Sequence, residues 1–430
     1  MAHIAWLGKK SPFCGNVTYG LTTTYALRQR GHGISFIHFD TPATGLSLPE
    51  FGSASRNRMA NERARRASAS LQSGERAVGG VGNVSLVQTN PTVTLAEENP
   101  EVALPYLMKS QVYTIPSLGA QRALRESLER LRPDVVHASL TLSPLDFFLP
   151  DLCQQLDLPL VATFHPAFDA SLRNLAGGTQ QLTYQLYAPS LARYDRVIVF
   201  SELQAEVLLR LGVRRERLAV IPNGVDMATW RPASVSPSPE LAALQQRFAG
   251  RRVFLYMGRV ATEKNVEALL RAWRLVRPRG CVLVIVGDGP VRAALQGSSS
   301  EPDVVWWGFE PSLERRVALQ QLAEVFLLPS LVEGLSLALL EAMASGTACV
   351  ATDAGADGEV LAEGAGIVIS TQGVTTQLRT LLPVLRDQPV LTQELGRRAR
   401  VRAMERYTLA ANIDSLEHLY GELCHHSQVA

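Results

Sequence analysis

Two periods of apolar residues alternate along this chain. Short unbroken apolar runs, typical of strands buried on both faces, recur between stretches whose apolar residues fall at helical spacing. His3–Gly8 is the first run, a helix ending near Arg30–Gly31 follows, and Ile34–Phe39 is the second run, which predicts a β-α-β opening. Further on, Leu118–Leu131 is predicted as helix, Asp134–Ala138 as strand, Leu145–Leu156 as helix and Leu160–Phe164 as strand. Gly177–Arg193 is amphipathic, Arg196–Phe200 returns to strand, Glu202 opens a helix and Leu218–Ile221 closes the series as a strand. Such alternation is the pattern of a doubly wound parallel sheet.

The turn residues Pro222-Asn223-Gly224-Val225-Asp226, followed by Pro232, Pro237 and Pro239, mark a boundary. A second α/β series follows. Its predicted strands are Val253–Gly258, Val282–Gly287, Val304–Gly308, Val325–Leu328, Cys349–Thr352 and Gly366–Ile369, with helices at Asn265–Val276 and Val291–Gln296. The fold class expected is α/β, two doubly wound Rossmann-like domains facing a central cleft. The first spans 1–228 and the second 229–405, and a last segment at 406–430 forms a helix, with Ile413, Leu416, Leu419, Tyr420 and Leu423 on one face, that docks back on a domain.

One stretch departs from simple packing logic. Pro329–Gly346 runs from a strand end through a loop into a helix beginning at Ser336, and carries Glu333 and Glu341. On that helix Leu337, Leu340, Glu341 and Ala344 share the inward face, so a carboxylate lies where apolar atoms belong. A buried carboxylate needs a partner, either a nearby arginine or a polar ligand. The free N–H groups of the helix start suit a phosphate.

Length and charge then narrow the picture. The chain has 430 residues, too many for one ordinary core, and a net charge of only +2, which argues against a nucleic-acid partner. Cys14, Cys153, Cys281, Cys349 and Cys424 are scattered and odd in number, which predicts a reducing compartment without a disulfide framework. The N-terminus MAHIAWLGKK lacks a signal peptide's long apolar region, and no apolar run approaches the roughly 18 residues that span a bilayer. A cytoplasmic or peripheral protein is expected. Between residues 51 and 80 the chain turns to Ser, Ala, Gly and Arg, including Arg56, Arg58, Arg63, Arg65, Arg66 and Arg76. This segment reads as a solvated basic loop, or alternatively as an attachment to anionic lipid headgroups.

Candidate chemistry clusters at strand ends. Arg259 and Lys264 follow the strand FLYMG on one loop and offer the paired positive charge a diphosphate requires. No DxD triplet or His/Cys cluster has metal spacing, so no metal is expected. Gly15 and Gly20 lie in the first β-α turn, which lacks the GxGxxG of a nicotinamide cofactor site. His165 follows a strand directly, close to Asp169, and is either structural or a ligand contact. Cys424, His425 and His426 read as a frayed tail rather than a metal site.

GRVATEKN (258–265), VGDGP (286–290), WWGFEP (306–311), PSLVEGLSLALLEAMASGTACVATDAG (329–355) and VIPNGVD (220–226) resemble the motif set of the large retaining glycosyltransferase family with the GT-B fold. The resemblance implies that Glu341 binds a nucleotide ribose, Glu333 holds sugar hydroxyls, and Arg259 and Lys264 bind the diphosphate. Gly15, Gly258, Glu310, Gly334, Leu335, Ser336 and Leu337 complete the implied donor site, with Ser336 standing where the family has a second loop glycine. MAHIAWLGKKSPFCGNVTYG, YLMKSQVYTIPS, RPDVVHASLTLSPLDF and VATFHPAFD are similar to cyanobacterial glycosyltransferases of the digalactosyldiacylglycerol synthase type. That similarity implies UDP-galactose as co-substrate, no separate cofactor, and monogalactosyldiacylglycerol at a membrane surface as acceptor. The implied mechanism is front-side displacement, with Glu333, Arg259, Lys264 and His165 as the catalytic set. A soluble enzyme acting on a sugar or sugar phosphate, and a nucleotide-sugar-binding protein without turnover, are the alternatives. A two-carboxylate glycosidase does not fit the flanking diphosphate site.

Overall fold

A computed structural model describes residues 1–11, 15–42, 101–110, 113–140, 142–167, 177–299 and 301–429. The segment 51–80, Cys14 and Asp169 lie outside the described residues.

The first sheet contains β1 (His3–Leu7), β2 (Gly33–Pro42), β3 (Val102–Lys109), β4 (Thr114–Pro116), β5 (Val135–Ser139), β6 (Leu160–Thr163), β7 (Arg196–Val199) and β8 (Leu218–Val220). The second contains β9 (Arg252–Met257), β10 (Cys281–Val286), β11 (Val304–Gly308), β12 (Val325–Leu328), β13 (Ala348–Thr352) and β14 (Ile367–Ile369). Their orders are β4-β3-β2-β1-β5-β6-β7-β8 and β11-β10-β9-β12-β13-β14. All described pairings are parallel except β3 with β4. Helices on both faces explain the near-continuous apolar strands, since Val282–Val286 and Val325–Leu328 meet water on neither side.

Strand order reverses between β1 and β5 in the first sheet and between β9 and β12 in the second. At such a reversal the connecting helices leave in opposite directions and open a crevice at the carboxyl ends of the strands. Gly8 and Ser139 border one crevice, and Gly258 and Pro329 the other.

Two chain crossings join the sheets, and they pair with each other. The Val225 N–H donates to Tyr407 O at 2.9 Å and the Leu409 N–H to Val225 O at 2.9 Å. Gly224 is required there because a Cβ would lie 2.5 Å from Thr408 O. The last helix, Leu409–Val429, then returns to the first sheet, where Ile413, Leu416, Leu419, Tyr420 and Leu423 pack with Ile4, Trp6, Ile34 and Phe36. It runs past Cys424, so the expected frayed tail is helical in its backbone through Val429.

Several elements escape the periodicity. β3 contains Pro105, which speaks against a strand, yet its ladder to β2 forms around a register shift. The helices Leu313–Leu322 and Pro389–Arg406 bury polar residues (Gln320, then Thr392 and Arg402), which blur an apolar stripe, while Val374–Asp387 carries an internal proline, Pro383.

A buried polar chain anchors the last helix. His137 Nδ1 lies 2.5 Å from Tyr420 Oη and its Nε2 2.7 Å from Thr163 Oγ1. Burial, with the nearby His165 second, presses the imidazole down to about 3, so it is neutral and serves as one donor and one acceptor. Tyr420→Phe strands one ring nitrogen in a water-free core. We expect it to lower stability by about 1–3 kcal/mol, read as a shift of the urea midpoint at unchanged slope.

Candidate functional site

In the second sheet the site is built from two loops pressed together backbone to backbone. The Gly258 N–H donates to Val286 O at 2.9 Å, and Tyr256 Oη donates to Arg259 O at 2.7 Å. A Cβ on Gly287, where φ is +135°, would lie 1.8 Å from Gly258 O, and one on Gly289 2.2 Å from Val260 O. Only glycine permits that approach, which explains the GDGP sequence. The Leu331 N–H donates to Glu263 O at 2.8 Å, and this carries the loop after β12 across to the loop after β9.

That crossing brings Lys264 to Glu333. Lys264 Nζ lies 2.6 Å from Glu333 Oε1, which also accepts from Ser330 Oγ at 2.7 Å. Glu333 is 7% exposed, so the pair sits in the wall rather than in bulk water. Arg259 pairs with Glu263 one turn away. Both cations expected to hold a diphosphate are therefore oriented by carboxylates.

Ser336 caps the helix Leu337–Ala344, its hydroxyl accepting from the Leu339 N–H at 3.3 Å. The Ser336 N–H donates to Asp357 Oδ1 at 3.0 Å. Asp357 is fully buried, and burial together with the Glu333 charge pushes its carboxyl well above the ordinary range. Sequence reasoning missed Asp357. Its signal was an acid two residues beyond Gly355, whose left-handed φ of +58° turns the chain back onto Glu333. The turn is tight enough that a Cβ on Gly355 would stand 2.1 Å from Glu333 O.

Glu341 is 8% exposed and has no hydrogen-bonded or ion-paired side-chain partner among the described residues. Burial pushes its carboxyl up to about 7, and the Arg316 charge offsets this only in part. The arginine partnership considered from sequence is thus not made. Glu310, in contrast, is satisfied locally. It accepts from Trp307 Nε1 at 3.0 Å and the Ser312 N–H at 2.9 Å. Burial raises its carboxyl, but these bonds and Arg315 outweigh that and leave it below its ordinary value.

Across the crevice His165 follows β6. Its Nε2 lies 2.8 Å from Ser139 Oγ, and its ring packs edge-on to Tyr19 with centroids 5.0 Å apart. Burial, and then the Lys9 charge, press this imidazole down to about 3, so it is neutral. Its carbonyl oxygen lies 3.1 Å from where a Cβ on Gly334 would stand. The Asn223 amide reaches Leu335 O at 3.4 Å. His165 therefore meets Gly334 and Asn223 meets Leu335, whereas Gly15 starts the helix Gly15–Gln29 with no neighbour among the described residues within 4 Å of its Cβ position. Among the described residues no group of His, Cys, Asp and Glu has the arrangement of a metal site.

Comparison with known proteins agrees with this two-sheet division. Residues 251–387 match the family described as Glycosyl transferases group 1, and residues 83–229 match Glycosyltransferase Family 4. Alpha-maltose-1-phosphate synthase of Mycolicibacterium smegmatis is 29% identical over 251 residues, 54% of this chain and 65% of that protein, just under two thirds of its length. Glycogen synthase of Mycobacterium tuberculosis is 30% identical over 280 residues, 63% of this chain and 64% of that protein. Among solved structures, Anabaena Alr3699/HepE in complex with UDP-glucose superimposes with a TM-score of 0.68 at 16% identity, covering 98% of this chain and 100% of that one. Sucrose-phosphate synthase from Thermosynechococcus elongatus gives 0.69 at 18% identity, covering 98% and 99%. One match falls on each sheet, and the neighbours share the architecture of both, so the fold is GT-B and each half of the chain is similar to a glycosyltransferase family.

Proposed function

We propose that the protein transfers a hexosyl group from a nucleotide sugar to an acceptor hydroxyl with retention of anomeric configuration. The observation that carries this reading is Glu341, a buried carboxylate with no hydrogen-bonded or ion-paired partner among the described residues, on the helix that begins beside the Lys264–Glu333 pair. Ribose hydroxyls donating to Glu341 satisfy it. Arg259, Lys264 and the first-turn N–H groups after Ser336 receive the diphosphate, and Glu333 orients the sugar. The acceptor oxygen bonds to the anomeric carbon as the bond to the diphosphate oxygen breaks on the same face. The acceptor proton passes to the departing phosphate oxygen. His165, neutral and fixed by Ser139, contacts sugar or acceptor from the opposite wall.

The specific form carried by the first-half motifs is UDP-galactose as donor and monogalactosyldiacylglycerol as acceptor, at a membrane surface. Leu107, Met108, Ile115 and Leu118, exposed at the β3–β4 edge, support an amphiphilic acceptor. No helix among the described residues is long and apolar enough to cross a membrane, so attachment on this reading is peripheral. The names of several relatives and neighbours, including the maltose-1-phosphate and sucrose-phosphate synthases, favour a second acceptor reading, a sugar phosphate.

Glu333→Gln is expected to reduce turnover by about a hundredfold or more while changing nucleotide affinity little, and Lys264→Ala to weaken both. Single-turnover kinetics beside calorimetric nucleotide titration separate the two; full turnover in Glu333→Gln removes the proposal. Product NMR of the anomeric proton reads retention directly.

A second expectation follows from Glu341. Its carboxyl stands near 7 in the protein, and hydroxyl donors favour the charged form, so nucleotide binding lowers that value and releases a fraction of a proton at neutral pH. Affinity then rises with pH up to about 7 and levels above it. Calorimetry in buffers of different ionisation enthalpy measures the release, which Glu341→Gln should abolish.

A further inference from the structure

Two neighbouring helices of the second sheet carry buried polar side chains that no described residue satisfies. The helices Leu313–Leu322 and Leu337–Ala344 precede and follow β12. In a parallel sheet each connecting helix runs against the strands, so both begin at the carboxyl edge, where the crevice opens. The Thr347 hydroxyl, just past the second helix, donates to Gln320 O at 3.0 Å and ties it to the first. Arg316 and Gln320 are one turn apart on the first helix, and Glu341 and Ser345 one turn apart along the second. Arg316 and Glu341 therefore form the layer nearer the crevice, with Gln320 and Ser345 beneath.

Both layers hold unmet hydrogen-bonding groups. Gln320 is fully buried, and neither atom of its side-chain amide has a hydrogen-bond partner among the described residues; the same is true of Ser345 Oγ and Arg316 Nε. The deeper layer is too enclosed for a ligand and polar enough to hold water. In the upper layer, the Arg316 charge acts on the Glu341 carboxyl, yet the two form no ion pair. A donor without an acceptor beside an acceptor without a donor is costly away from bulk water. A hydroxyl satisfies both at once, because its proton goes to the carboxylate while its oxygen accepts from the guanidinium. An anion would suit the arginine but be repelled by the acid, and a cation the reverse.

We propose that Arg316 is a second reader of the donor's ribose, donating to the hydroxyl oxygens whose protons go to Glu341. The inference rests on the transferase reading in taking Glu341 as the ribose site. It makes Arg316 a specificity-determining residue: acid and guanidinium together recognise a vicinal diol rather than a charge, so the donor must be a ribonucleotide.

The test uses the full chain. UDP, ADP and GDP are titrated calorimetrically first; binding of none of them defeats the transferase reading, and this inference with it. The nucleotide that binds is then compared with its 2′,3′-dideoxy form, on the alkaline plateau of each protein's affinity. We expect the ribose form to bind at least about tenfold more tightly in the unaltered protein. Arg316→Met should weaken the ribose form about tenfold and leave the dideoxy form, whose constant affinity also reports folding, where it was. The plateau should begin at a higher pH in Arg316→Met, because the charge that opposes the effect of burial on Glu341 is gone, and return to about 7 in Arg316→Lys. No ribose preference in the unaltered protein, an unchanged preference in Arg316→Met, equal weakening of both forms, or a plateau that does not move overturns Arg316 as a reader of the ribose. Each of those results leaves nucleotide binding itself in place, so it is told apart from a failure of the transferase reading.

Discussion

The donor half of the crevice depends on one ion pair, Lys264 with Glu333, formed between residues 69 positions apart. A carboxylate this deeply buried is tolerable only with a cation and a hydroxyl beside it, and Lys264 and Ser330 supply both. The pair fixes the loop after β9 against the loop after β12. It also sets the electrostatics of its neighbours, since the Glu333 charge helps hold Asp357 toward its neutral form. A site meant to receive a polyanion thus has its cations held in place by the protein's own carboxylates.

Close backbone contact makes that pairing possible. Gly287, Gly289 and Gly355 each occupy a place where a Cβ would strike a neighbouring carbonyl oxygen. The same economy governs the junction of the two sheets, where Gly224 lets the chain crossings at 222–226 and 407–409 run side by side. Adjacent crossings act as a narrow connection, while the last helix is fastened to the first sheet through apolar packing and the Tyr420–His137 bond. Among the described residues the two walls meet at His165 with Gly334, at Asn223 with Leu335, and where the Glu359 carboxylate accepts from the backbone of Glu202 and Leu203.

The two walls differ in their chemistry. On the donor side Arg259 and Lys264 are each matched by a carboxylate, and among the described residues the buried acids Glu341 and Asp357 have no ion-paired cation. On the other side Lys10 is paired with Glu101, Asp40 acts on Lys109, and the His137 and His165 imidazoles are neutral.

Much of this was legible in the sequence, because strands buried on both faces must be apolar throughout and glycines at tight turns cannot be replaced. The alternation of strands and helices and the inward-facing position of Glu341 both follow from such local rules. What failed locally were elements whose inward faces are partly polar, such as Pro389–Arg406, and β3 with its internal proline. Only the tertiary structure decided which charges meet. Sequence placed Arg259, Lys264, Glu333 and Glu341 at strand ends and helix starts, but which carboxylate is paired and which is left alone depends on strand order and on distances between loops far apart in the chain. The same reason hid Asp357: charge pairing is set by three-dimensional proximity and burial, and a linear pattern carries neither.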